Sequence, residues 1–352
     1  MKKLSKNRKK QPSKTPNYHK GKPVIIAAGL LVGVALVWAG LALSLKADTS
    51  ATASFQAEAG TKTGNVSIIS DSGAAGGSAV RFNEVSAPTN PTKPDASNTG
   101  VSAGTSLTVV NGDLNITTAG QVVEGRDVRG FVNISASNVT FRNSIVRGGS
   151  PSSGFRGIIN VNSGTGTKIE NVEINPTTPS VYWDGIKGSG FTATAVNISR
   201  VVDGMKVSSN SVIEKSYIHD LSYFANDPSQ GGGETHGDGI QILDGSNITV
   251  RTSNINPGSG GNAAIQVTQD WGPVSNLLID GNWMDGGGCT LNIAWKGGGN
   301  MTATANNNRF GHNSGFANCP ILIGSKVTLN RTNNVWDTAP NAGQAVPIQQ
   351  HD

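Results

Sequence analysis

Asp184-Gly185-Ile186, Asp203-Gly204-Met205 and Asp238-Gly239-Ile240 repeat one three-residue phrase. Outward from these three, the phrase persists in altered form. Arg156-Gly157-Ile158 precedes them, and Ala263-Ala264-Ile265, Cys289-Thr290-Leu291 and Cys319-Pro320-Ile321 follow. The gaps between successive apolar anchors are 28, 19, 35, 25, 26 and 30 residues. An irregular period of this size is that of a coil that repeats in space while its loops vary, which is a solenoid.

A second ladder runs between these rungs, each member a polar residue followed by an apolar alternation. Asn138-Val139-Thr140-Phe141, Asn247-Ile248-Thr249-Val250, Asn276-Leu277-Leu278-Ile279 and Lys326-Val327-Thr328-Leu329 are examples. These short runs, mostly rich in β-branched residues and bounded by Gly, Ser and Asn, read as strands. Two or three short strands per turn give an all-β parallel β-helix. Residues 104–347 suffice for about eight or nine coils, with 348–352 as a tail. The 46 glycines and the charged content of 14% fit many tight turns around a narrow Val/Ile core.

The formal charge of +5 is unevenly placed. Residues 1–46 hold ten Lys or Arg and no acid, leaving 18 basic against 23 acidic residues in the rest. The basic segment 1–23 therefore marks a cytoplasmic side rather than a nucleic-acid partner. Residues 24–45 carry no charge, and a helix of that length rises roughly 33 Å, enough for a bilayer core. The stretch reads as a retained transmembrane anchor. A cleaved signal is the alternative, with Ala51-Thr52-Ala53 as a small-x-small site. Either reading exports the solenoid, onto the cell membrane or into the medium.

Export permits a disulfide. Cys289 and Cys319 each stand two residues before an anchor in successive coils, which sets their Cα atoms about 5 Å apart, within bridging range. A Cys289–Cys319 bond is expected. Residues 46–103, rich in Ser, Thr, Ala, Gly and Pro, read as a linker. Within it, Phe55–Gly60 and Ser70–Val80 resemble the opening strands of β-sandwich carbohydrate-binding modules. The stretch is too short to close two sheets, and no sugar-binding residue carries over.

The chemistry is expected where the column departs from what stacking favours. Asp184, Asp203 and Asp238 share one register in successive coils, about 5 Å apart, with Arg156 one coil earlier. Stacked carboxylates repel and raise one another's pKa. Lys187, Lys206, Gln241, Gln266 and Asn292, each one residue past its anchor, form a polar outer row.

Here the chain resembles the pectin-lyase-like superfamily of right-handed parallel β-helices, which includes polysaccharide lyases and polygalacturonase-type glycosidases. The resemblance covers the solenoid as architecture and the Asp-Gly-apolar phrase as motif. It implies a catalytic cluster at Asp184, Asp203 and Asp238. The paired Asp-Asp of the polygalacturonases is missing, since Trp183, Val202 and Gly237 precede the three.

Three readings follow. A glycosidase would use one carboxyl as acid and another as base. A lyase on a uronic-acid polymer would hold Ca²⁺ on the three Asp, with Lys187, Lys206 or Arg156 taking the proton. A non-catalytic, adhesin-like glycan binder would use Asp before Gly merely as turn chemistry.

The longest excursion, from Ile218 to Ile240, brings His219, Tyr223, Glu234 and His236 beside the Asp column. Long loops on a solenoid tend to carry function, and His236 suits acid or base work. Tyr223, Tyr182-Trp183 and Trp271 are candidate sugar platforms. Trp283, Trp295 and Trp336 read as packing. Asn-x-Ser/Thr triplets such as Asn138-Val139-Thr140 recur at the head of strands and read as bends. The expected protein is an exported monomer that engages an extracellular polysaccharide.

Overall fold

The computed structural model describes residues 66–74, 76–82, 91–151, 154–258, 260–294 and 299–351. The chain divides into two units at Pro88 and Thr89. The basic segment 1–23, the apolar stretch 24–45 and the small-x-small site near Ala53 lie outside the described residues. Among the described residues no helix is long and apolar enough to cross a membrane. The first unit shows an antiparallel hairpin of Val66–Ser70 with Ser78–Phe82. Asp71 Oδ1 accepts the Gly73 N–H in its turn.

The second unit is a parallel β-helix. One ten-stranded sheet stacks, in chain order, Leu114–Ile116, Val132–Ile134, Arg156–Val161, Trp183–Gly188 and Met205–Val207. Asp238–Ile242, Ala263–Val267, Leu291–Ile293, Ile321–Gly324 and Gln349–His351 complete it. Every pairing in this sheet is parallel. Its ten strands make nine coil-to-coil steps. The last strand is formed by residues that composition placed in a tail.

Each register match puts like on like. Val132, Ile159, Ile186, Met205, Ile240, Ile265, Leu291 and Ile321 form one continuous column, all 0% exposed. The apolar anchors quoted from the sequence are therefore all core, but one of them is out of register. Ile186 pairs with Ile159 rather than Ile158, so Gly157, not Arg156, stands beside Asp184. The two adjacent isoleucines make that slip of one invisible to an apolar pattern.

The other faces of each coil stack in the same way. Thr167–Ile174 is one bent strand, and in the next coil it divides into Phe191–Thr194 and Asn197–Ile198. The bend falls at a stacked column of left-handed residues that includes Asn143, Asn171, Ala195, Lys215, Thr252, Asn307 and Asn333. Behind it runs a buried polar ladder: the Ser216 N–H donates to Ser253 Oγ, Ser253 N–H to Asn282 Oδ1, Asn282 N–H to Asn308 Oδ1 and Asn308 N–H to Asn334 Oδ1. The ladder satisfies backbone donors that the bend removes from the sheets.

Residues 91–103, read as linker, belong to this unit. Gly100 N–H donates to Ala195 O at 2.8 Å, Asn254 Nδ2 to Pro94 O at 2.8 Å, and Lys93 pairs with Asp337 at 3.4 Å. The segment thus crosses successive coils on the outside of the solenoid, against the coil order.

Candidate functional site

The glycines of the Asp-Gly-apolar phrase have a steric cause. A Cβ on Gly185 would lie 2.2 Å from Gly204 O, one on Gly204 2.4 Å from Gly239 O, and one on Gly239 2.4 Å from Ala264 O. The rungs approach too closely here for any side chain. Each preceding Asp is thereby drawn against its neighbours at the entrance to the sheet. Asp184, Asp203 and Asp238 are 4%, 2% and 0% exposed.

Lys206 organises the first two. Its Nζ lies 2.8 Å from Asp203 Oδ2 and 3.3 Å from Asp184 Oδ1. Asp203 Oδ1 accepts the Asp238 N–H at 2.7 Å, tying one rung to the next. Asp238 in turn accepts from Gln241 Nε2 at 3.0 Å and from Asn262 Nδ2 at 2.9 Å.

One cation thus serves two carboxyls. Burial, opposed by Lys206 and reinforced by the Asp203 charge, pushes the Asp184 pKa up to about 7. Burial, with the Asp203 charge adding to it, also raises Asp238 well above the usual carboxylate range. Burial alone would lower Lys206, but Asp203 and Asp184 outweigh it and hold the ammonium above its ordinary value. A lysine so held is not a general base at neutral pH. The expectation that Lys206 takes a proton from substrate is corrected accordingly.

Calcium does not fit the column. Hard cations need convergent free oxygens, whereas Lys206 already sits between Asp184 and Asp203, and amides occupy both oxygens of Asp238. Among the described residues no group of three acidic, His or Cys side chains is arranged to hold a metal ion.

The carboxyl column opens into a groove of about 710 Å³ along the outside of the sheet. Lys187, Lys206, Gln241 and Gln266 line its floor, with the backbone of each in register with the next. His236 and Trp271 stand on its walls, the indole 66% exposed. With Asn292 at the end of the polar row, the structure thus brings ten of the residues expected from sequence to one place.

Three others fall elsewhere. Trp183 is 0% exposed and packs edge-on against Phe131 at 5.1 Å, so it is core and no sugar platform. Its place just before Asp184 made it a platform candidate, but its side chain lies in the core. Arg156 lies 3.6 Å over the Phe131 ring and pairs with Asp113 at 3.5 Å, outside the groove. Tyr223, 54% exposed, lines a separate pocket of about 270 Å³ and donates to Glu234. Trp283 and Trp336 pack in the interior, and Trp295 lies outside the described residues.

Sequence reasoning missed Phe155, Asn262, Asp270 and the wall residues Ser229 and Gln230, while Asp227 comes from the long excursion expected beside the Asp column. Ser229 and Gln230 belong to a short 3-10 turn, Pro228–Gln230, capped by Asp227, whose carboxylate accepts from Ser229 N at 2.7 Å. These positions come from loops of unequal length, and no repeat marks them.

The predicted disulfide is present. Cys289 and Cys319 occupy the same column two and three rungs past Asp238, with Cα atoms 4.8 Å apart.

No protein-family model matches the chain, and no curated protein matches it. Solved structures similar to it include the following two. A tailspike protein of Acinetobacter baumannii bacteriophage Fri1, a capsular polysaccharide depolymerase, aligns over 60% of this chain and 48% of its own at 12% identity, TM-score 0.34. Pectate lyase Pel9A aligns over 66% of this chain and 72% of its own at 15% identity, TM-score 0.33. The chain spans about half the length of the tailspike.

Proposed function

We propose that the protein is a polysaccharide depolymerase that cleaves a glycosidic bond by hydrolysis in the groove beside Asp184, Asp203 and Lys206. The carrying observation is the pair of buried carboxyls that share one ammonium at the wall of an open groove. The ion pair of Lys206 with Asp203 satisfies the cation, and Asp184 is the excess carboxyl that keeps its proton. A carboxylic acid protonated near neutrality is what a leaving alkoxide needs.

Asp203 is the second carboxyl. The Asp184 and Asp203 oxygens that flank Lys206, 3.3 and 2.8 Å from its Nζ, are at most 6.1 Å apart. That is closer to the ~5–5.5 Å spacing of double displacement than to most of the ~6.5–9.5 Å range of direct water attack. Asp184 then donates to the glycosidic oxygen, Asp203 attacks or stabilises the anomeric carbon, and water completes hydrolysis with retention. Trp271 offers an apolar face to a sugar ring, and the Lys/Gln row offers donors along the chain of sugars. Beta-elimination is disfavoured because Lys206 is pinned as a cation.

Export is part of the proposal, through an anchor at 24–45 or release near Ala53, and the Cys289–Cys319 bond supports an oxidising compartment. The test is incubation of the chain with a panel of glycans while reducing ends and the absorbance of unsaturated ends are followed together. Reducing ends without unsaturation are expected. Unsaturated ends would replace hydrolysis with elimination, and binding without either product would make the groove a lectin-like surface.

A further inference from the structure

Resting on the glycan-cleaving reading above, we propose that the polymer this groove accepts is uncharged, built from sugars that present hydroxyls and no carboxylates. Among the described residues the lining carries five carboxyls, Asp184, Asp203, Asp227, Asp238 and Asp270, against two ammonium groups, Lys187 and Lys206, with His236 the other titratable group facing it. Even with Asp184 and Asp238 protonated, three carboxylates face two cations.

One of the two cations is already committed: Lys206 pairs with Asp203 and Asp184. Lys187 lines the groove with its charge bearing on Asp184. Among the described residues no Arg lines the groove, so they offer no bidentate fork of the kind that recognises a carboxylate. A sugar on Trp271 meets Asp270, whose Oδ2 already accepts from Thr268 Oγ1 at 3.0 Å. A uronate at that position would set carboxylate against carboxylate, a like-charge contact that works against binding.

The polar groups that line the floor ask instead for hydroxyls. Gln241 and Asn262 donate to Asp238, and Gln266 Oε1 accepts from Asn262 at 3.2 Å, so a polar network already holds these amides in place. Asn292, next in the row after Gln266, has a buried Oδ1 that accepts no hydrogen bond from the described residues. A hydroxyl both gives and accepts, whereas an ionised carboxylate only accepts. The acceptor-rich groove therefore complements the first and not the second.

The experiment measures equilibrium binding of the full-length Asp184→Asn chain, which holds substrate without turnover, to two forms of one polymer: the uronate and its carboxyl-reduced, neutral counterpart. A neutral glycan array is run beside them, and circular dichroism confirms that each variant is folded. Neutral glycan is expected to bind about tenfold or more tightly than the uronate. Adding Asp270→Asn is expected to narrow that gap by strengthening uronate binding alone. Tighter binding of the uronate, lost in a Lys187→Met variant, would overturn the inference while leaving a glycan groove intact. Absence of binding to every glycan by a folded chain would overturn the glycan reading itself, and this inference with it.

Discussion

Asp203 stands between two partners that fix both of its oxygens: Lys206 Nζ at 2.8 Å and the backbone N–H of Asp238 at 2.7 Å. That arrangement sets the charge state of the neighbour it does not touch. With the cation claimed by Asp203, burial dominates at Asp184 and its carboxyl titrates near 7.

Removing the Asp203 charge should therefore release Lys206 to Asp184 and lower the Asp184 pKa. If Asp184 is the proton donor, cleavage falls as pH rises through about 7 in the parent chain. In Asp203→Asn the residual activity should lose its alkaline limb at lower pH. A pH–rate profile of the variant checks this, and an unmoved limb would separate Asp184 from the rate.

Stability should carry the same signature. Folding raises the Asp184 pKa from the ordinary aspartate value of 3.8 to about 7. Between those values the native state holds a proton that the unfolded chain has lost, so this group's contribution falls as pH rises from about 4 to about 7. Denaturant titrations across that window should show a shallower decline for Asp184→Asn than for the parent.

The buried ladder predicts a local effect far from the groove. Asn308 Oδ1 accepts from both the N–H and the side-chain amide of Asn282, and its own amide donates to Ile279 O. Asn308→Ala would leave buried groups unpaired, at about 1–3 kcal/mol for such a loss. A lower midpoint of denaturation with unchanged glycan binding is expected.

The solenoid was legible because its anchors are apolar and β-branched at most rungs, as are Ile186, Ile240 and Ile265. The Asp column and the disulfide were legible for the same reason: a stacked register turns a sequence offset into a distance. Arg156 was misplaced because Ile158 and Ile159 are equally apolar, and only strand pairing tells them apart. Trp183 was misplaced because standing next to Asp184 in the chain does not say which way its side chain faces, and neighbours in a strand point to opposite faces. Ala195, Lys215 and Thr252 hold left-handed bends that their residue types do not announce, so the full bend column was not visible. Asp227, Asn262 and Asp270 complete the groove from loops, where the repeat that carries the fold leaves no mark. Residues 91–103 have a linker's composition, and only their hydrogen bonds to Ala195 and Asn254 join them to the coils.

The central claim is that Asp184 donates the proton in a glycan-cleaving groove. The most direct measurement is the release of reducing ends from a glycan the chain cleaves, compared between the parent and Asp184→Asn, with binding of the same polymer measured in parallel. Loss of a general acid costs roughly 10²–10⁴ in rate, so Asp184→Asn should bind the polymer as the parent does and release reducing ends at least about 100-fold more slowly. Equal rates in the two proteins would contradict the account.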